Sequence, residues 1–157
     1  MKIGRNFRMG KFCDLEAEPL MTTFKDGRRV LLPADKGVEI GDDVTLGSHV
    51  VINRGVNRVT RIGNRVMIWH HSIVGHDCII ADDVCLGVND TVSGCVEVGP
   101  YSFIGAGAVI SPNVKVGQFC MVGAGANIVH ESNIGDGEVW FGNPATKRRV
   151  NEWRPPL

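Results

Sequence analysis

The chain has 157 residues, 43% of them hydrophobic, with 17 Lys and Arg against 17 Asp and Glu, for a formal net charge of zero. That is enough chain for one domain with a sizeable core. Balanced charge without a basic tract argues against nucleic acid as a partner, and no apolar run approaches the ~18 residues of a membrane span.

At the N-terminus, Ile3-Gly4, Met9-Gly10 and Leu15 form a degenerate version of a pattern that later becomes strict. No long apolar stretch of the signal-peptide kind stands there, so a cytoplasmic location is expected. Residues 16–37 break the pattern. Lys25-Asp26-Gly27 lies between Met21-Thr22-Thr23-Phe24 and Arg29-Val30-Leu31-Leu32, and Asp-Gly between short apolar runs signals a β-hairpin. This inserted hairpin or loop is expected to project from the body.

The pattern resumes at Val38. Apolar anchors follow at Ile40, Leu46 and Ile52, then at Ile62, Ile68, Val74, Ile80, Leu86, Val92, Val98, Ile104, Ile110, Val116, Val122, Ile128 and Ile134. From Ile62 the spacing is six without a miss. The longer step from Ile52 to Ile62 inserts residues at a corner through Gly55–Thr60. The residue after the anchor is usually Gly, as at Gly41, Gly63 and Gly75, and the fourth after it is small or β-branched, as at Val66, Cys78 and Ala108. A repeat fixes architecture before propensity does. Period six fits neither a helix nor a plain amphipathic strand. It fits a short strand ending in a bend, three units to a triangular coil, with coils stacked as parallel strands roughly 4.8 Å apart. The glycines are expected to supply corner conformations that side chains resist. Each buried anchor contributes about 1.5–3 kcal/mol, so the stacked columns form one continuous core.

After Ile134 comes Val139-Trp140-Phe141-Gly142-Asn143-Pro144-Ala145 and a tail over 142–157. Residues 145–153 read as a short helix. Trp140, Phe141 and Trp153 are placed to close the open end of the solenoid, which otherwise exposes strand edges. The expected fold is therefore all-β, one parallel β-helix domain over 1–157.

Reactive groups are few. Cys13, Cys78, Cys85, Cys95 and Cys120 make no CxxC pair, and three of them fall on inward positions, as small hydrophobes in a reducing compartment do. Among the histidines, His76 stands out. It lies two residues after Val74, which should point it outward from a flat strand face, and Gly94 comes one coil later. Acyl transfer needs this pair: a general base for the acceptor's proton and an N–H for the oxyanion. Imidazole suits the first role because it ordinarily titrates near pH 6.5.

This repeat resembles the hexapeptide-repeat acyltransferases, whose solenoid is a left-handed parallel β-helix; handedness is implied by the resemblance alone, against the general preference for right-handed crossovers. Ile52-Asn53-Arg54-Gly55, Thr60-Arg61-Ile62-Gly63 and Ile73-Val74-Gly75-His76-Asp77 are similar to the lipid A pathway N-acyltransferases that act on UDP-linked glucosamine. His76-Asp77-Cys78 with Ser93-Gly94 also looks like the nucleotide-amino-sugar N-acetyltransferases and the sialic acid O-acetyltransferases. The resemblance implies His76 as general base and Gly94 as amide donor to the acyl carbonyl. It sets Asn53 and Arg54 in the acceptor motif, with Asn53 where the family has Asp, and leaves His70 and His71 as corner residues able to touch the acceptor. The small residues Gly87, Gly105, Ala106, Gly123 and Ala124 then line a pantetheine slot between subunits, with Lys147, Arg148 and Arg149 at its end for the phosphates of coenzyme A.

The expected activity is acyl transfer from acetyl-CoA or another acyl-CoA, most simply acetyl to the amine of a nucleotide-linked amino sugar, by a homotrimer with interfacial active sites. O-acetylation of a sugar is the alternative. A zinc lyase of the γ-class carbonic anhydrase type, which shares this fold, would use His71 and His76, but the third His it needs is replaced by Ala34-Asp35-Lys36, and three ligands are the usual minimum. No metal is expected. A non-catalytic assembly module is the remaining alternative.

Overall fold

The computed structural model describes residues 1–130 and 132–154. Among these it is all-β: three sheets of seven, eight and six strands, parallel except for the last strand of the eight-stranded one, and one two-stranded sheet. No helix is present among the described residues, so none is long and apolar enough to cross a membrane.

Every third unit returns to the same face. The first face runs Lys2–Ile3, Val38–Ile40, Thr60–Ile62, Ile79–Ile80 and onward to Asn133–Ile134. The second runs Arg8–Met9, Thr45–Leu46, Met67–Ile68, Cys85–Leu86 and onward to Glu138–Gly142. The third runs Asp14–Ala17, Val51–Asn53, Ile73–Val74, Thr91–Val92 and onward to Asn127–Ile128. Register is eighteen residues, as in Ile62↔Ile80 and Val74↔Val92, except across the corner insertion, where it is twenty-two (Ile52↔Val74), and across the 16–37 insertion, where it is thirty-seven (Ile3↔Ile40). All the anchors from Ile40 to Ile134 are buried.

The glycines after the anchors serve a different purpose from the one expected. Their φ angles are not positive; the left-handed position falls two residues later, at residues such as Asp43, Arg65, Asp83 and Tyr101. What Gly63 provides is clearance, since a Cβ there would sit 2.7 Å from the Asp82 nitrogen in the next coil. The coils approach too closely at this point for any side chain.

The three faces differ in chemistry. The first is charged, with Lys2 and Arg61 on Glu39 (3.0 and 3.1 Å) and Lys115 on Glu97 (3.5 Å). The second exposes Met67, Trp69 and Phe103, and the third Ile73 and Val109.

Two excursions leave the solenoid. Thr22–Lys25 and Arg28–Leu31 pair antiparallel around Asp26-Gly27, both at positive φ. At the other end, the expected helix over 145–153 is absent. Ala145–Val150 is a strand that folds back antiparallel on Glu138–Gly142. The last coil offers a row of unpaired backbone groups, and pairing there outweighs the marginal stability of so short a helix. Trp140 packs on the core, whereas Phe141 and Trp153 remain largely exposed and do not close the end. Residues 155–157 of the expected tail lie outside the described residues.

Candidate active site

His76 is not on a flat strand face. It occupies the turn between Ile73–Val74 and Ile79–Ile80, at the corner joining the third face to the first, with its side chain 14% exposed. Nδ1 meets Asp77 Oδ2 at 2.8 Å. On the other side the ring lies against Gly94, where an added Cβ would fall 2.4 Å from Nε2.

Asp77 is 1% exposed and heavily partnered. Its Oδ1 accepts the backbone N–H groups of Val56, Asn57 and Arg58 at 2.9, 2.9 and 2.8 Å, and Asn57 Nδ2 donates to Oδ2 at 3.2 Å. Its own N–H donates to Thr60 Oγ1 at 2.9 Å. The corner insertion is therefore a cradle of amides for one carboxylate. Burial pushes the Asp77 carboxyl up, but hydrogen bonds from Arg58, His76, Asn57 and Val56 outweigh it and hold the group below the usual carboxylate range. An ionised Asp77 fixes the Nδ1–H tautomer and leaves the Nε2 lone pair free to take a proton.

At several other corners the N–H two residues after an anchor is capped by a side chain of the following coil, whereas corners such as Val88 and Ala106, followed by Ala106 and Ala124, have none. Asn64 Oδ1 accepts from Asp42 at 2.9 Å, Asp82 Oδ1 from Asn64 at 2.9 Å and Asp136 Oδ1 from Gln118 at 3.0 Å. At the His76 corner the following residues are Gly94 and then Pro112, which have no side-chain acceptor. The N–H groups of His76 and Gly94 receive no such cap. A cavity of about 270 Å³ adjoins this corner, lined by His76, Gly94, Thr91, Ser93, Asn53 and Ile73 together with Pro19, Leu20 and Met21 of the 16–37 insertion.

The other expected site residues divide. Asn53 lines that cavity and donates to the Ala17 carbonyl at 3.3 Å. Arg54 is spent on the insertion, with Nε 3.1 Å from the Glu16 carbonyl and 3.4 Å from Glu18 Oε2. His70 and His71 sit at a different corner, between the second and third faces. His70 Nδ1 caps the Ser48 N–H at 2.8 Å, and His71 stacks on His49 at 4.7 Å, which stacks on Phe12 at 5.1 Å. That separates His71 from His76 and removes the zinc-lyase pairing within one chain. Gly87, Gly105, Ala106, Gly123 and Ala124 form one column at the same second-to-third corner, with Ala106 and Ala124 exposed. A Cβ on Gly87 would lie 2.6 Å from the Ala106 nitrogen, so tight stacking alone accounts for the glycines. Lys147 is paired with Glu138 at 2.5 Å, and Arg148 lies 5.0 Å over the Phe141 ring.

Sequence reasoning missed Asp77 as the partner of His76, the cradle at 56–58, and the wall at 19–21. The one available signal was the four-residue surplus at a corner directly preceding the His76 coil.

No protein-family model matches the chain. An acyl-[acyl-carrier-protein]–UDP-N-acetylglucosamine O-acyltransferase of Campylobacter concisus (strain 13826) is 35% identical over 107 residues, covering 66% of this chain and 38% of that protein. The chain thus spans well under half the length of that curated relative. Among solved structures, the perosamine N-acetyltransferase of Caulobacter crescentus in complex with CoA and GDP-perosamine superimposes with a TM-score of 0.66 at 30% identity, covering 71% of this chain and 50% of that one. The UDP-N-acetylglucosamine acyltransferase of Bacteroides fragilis reaches a TM-score of 0.84 over 95% of this chain and 56% of that one; at 22% identity it shows the shared fold, a left-handed parallel β-helix.

Proposed function

We propose that this chain, a member of the hexapeptide-repeat acyltransferase superfamily, moves an acyl group, acetyl in the first instance, from an acyl-CoA to the amine of a nucleotide-linked amino sugar, with His76 as general base. The observation that carries this reading is the dyad: an imidazole whose Nδ1 is bound 2.8 Å from a buried carboxylate, with Nε2 beside Gly94 at a cavity. In the reaction the acceptor amine attacks the thioester carbonyl while Nε2 takes its proton. The N–H of Gly94, which no side chain caps, stabilises the oxyanion. As the tetrahedral intermediate collapses, the C–S bond breaks and the imidazolium returns the proton to the departing thiolate. Asp77 stays ionised throughout and stabilises the imidazolium.

The donor reading draws on the C. crescentus relative, which was solved with CoA. Ala106 and Ala124 present small exposed side chains at the second-to-third corner, and Arg148 and Arg149 are the cations for its phosphates, Lys147 being taken by Glu138. Because His76 and this column stand at different corners of one chain, the site is completed by a second copy; a homotrimer packed through the apolar second and third faces, with the charged first face outward, meets that need. Five free cysteines suit a cytoplasmic setting.

A second reading is favoured by the C. concisus relative, whose name specifies O-acyl transfer to UDP-N-acetylglucosamine. The test is thiol release from acetyl-CoA, longer acyl-CoAs and acyl carrier protein against nucleotide sugars bearing either a free amine or only hydroxyls. Release with amine acceptors alone supports N-transfer, release with N-acetylated sugars supports O-transfer, and no release with any pair overturns both.

A further inference from the structure

We propose that His76 Nδ1, Asp77 Oδ2 and Cys95 Sγ form a binding site for a soft divalent cation, Zn²⁺ being the type, and that occupancy switches the base off. One ligand atom from each of the three residues lies within 4.8 Å of the other two. Nδ1 is 2.8 Å and Sγ 3.9 Å from the same carboxylate oxygen. Tetrahedral zinc with nitrogen and oxygen at about 2.0–2.2 Å and sulfur at about 2.3 Å spaces its ligands roughly 3.3–3.8 Å apart, so movements of about 1 Å complete the geometry.

The coil stacking imposes this convergence. Asp77 and Cys95 are the left-handed corner residues of successive coils, at φ 60° and 63°. The Cys95 N–H donates to the His76 carbonyl at 2.8 Å, which holds the thiol over the dyad. Three amides on Oδ1 already orient the Asp77 carboxylate, leaving Oδ2 toward the other two ligands. A separate cavity of about 320 Å³, bordered by Asp77, Cys95, Asn57, Arg58 and Glu97, gives the ion and a fourth, water ligand a way in. It shares no lining residue with the cavity that His76 and Gly94 line. Arg58 and Lys115 also border it, and both are paired with Glu97, at 2.9 and 3.5 Å.

The exchange is balanced as follows. The ion takes the Nδ1 lone pair, the carboxylate oxygen and the thiolate. The thiol proton is released to solvent and the ring proton moves from Nδ1 to Nε2. An imidazole protonated at Nε2 and ligated at Nδ1 has no lone pair left for an acceptor's proton. The ion is thus an inhibitor, with no part in the acyl transfer. Binding stands on the geometry alone; the effect on turnover rests on the proposed role of His76.

Cobalt(II) titrated into the intact protein is the test, because thiolate ligation gives a near-ultraviolet charge-transfer band. The band should saturate at one ion per chain, vanish in both Cys95→Ser and Cys95→Ala, and persist in Cys85→Ser, with circular dichroism confirming that each variant is folded. No band in the wild type, or an equal band in the folded Cys95 variants, overturns the site. In the acyl-transfer assay Zn²⁺ should abolish turnover and a chelator restore it. A Cys95-dependent band without inhibition upholds the site and overturns His76 as the base.

Discussion

At the residue scale, the Asp77 carboxylate makes His76 more than a corner histidine. Asp77→Asn keeps the volume but can present an amide N–H to Nδ1, favouring the tautomer that blocks Nε2. Turnover should fall on the order of 10²–10⁴-fold, as it should in His76→Ala, and the double variant should lose little more than either alone. Additive losses would mean that the two residues act separately. Asp90 is a second carboxylate, on an inward position of the repeat and 1% exposed. Oδ1 accepts the Ala108 N–H at 3.0 Å, but Oδ2 has no partner among the described residues. Burial pushes its pKa up to about 6 from 3.8, against the N–H groups of Ala108, Gly87 and Gly107. The folded state therefore holds this proton more tightly than the unfolded chain. The stability it confers is present below pH 4 and is lost as pH rises through 6, on the order of 3 kcal/mol by pH 8. Asp90→Asn should raise the melting temperature at pH 8 and not at pH 4. An equal difference at both pH values would show that Asp90 does not titrate on folding. The repeat marks position 90 as core but says nothing of a carboxylate's proton, which depends on how many amides reach it.

At the element scale, the corner insertion and the carboxylate it cradles are coupled. Excising Val56–Arg58 leaves Asp77 buried without its amides, and a buried acceptor stripped of partners costs about 1–3 kcal/mol, more when charged. The excision should destabilise the fold, and Asp77→Asn in the same chain should recover part of that stability without recovering activity. If thermal melts show the two changes to be simply additive, the cradle does not hold the carboxylate. How much of this was legible in the sequence follows from the range of the forces. Ile62 to Ile134 declare themselves because burial repeats with the coil. The cradle does not, because Val56–Arg58 reach Asp77 some twenty residues away through a loop whose shape no period encodes. The strand Ala145–Val150 was hidden for a related reason: its partner is the sheet edge of the last coil, and local sequence reports only local preference. The roles of Arg54 and Lys147 went unread because their partners, Glu18 and Glu138, emerge only from the folded insertion and tail.

At the scale of the whole molecule, one chain leaves two faces apolar and sets the His76 corner apart from the Gly-Ala column. Light scattering should return the mass of three chains, and dilution should reduce activity as the assembly dissociates. A fully active monomer would place donor and base on one chain and remove the need for a partner. The corner insertion has a wider consequence. The Ile52↔Val74 pairing is as regular as Val74↔Val92, although four more residues separate the first pair. The scaffold closes each loop and resumes its count whatever is spliced in at a vertex. The repeat thus carries His76 and Gly94 while the vertex loop supplies the amides that hold Asp77, and descendants of such a chain can retune the site by small insertions and deletions at a vertex while the strand register beneath stays the same.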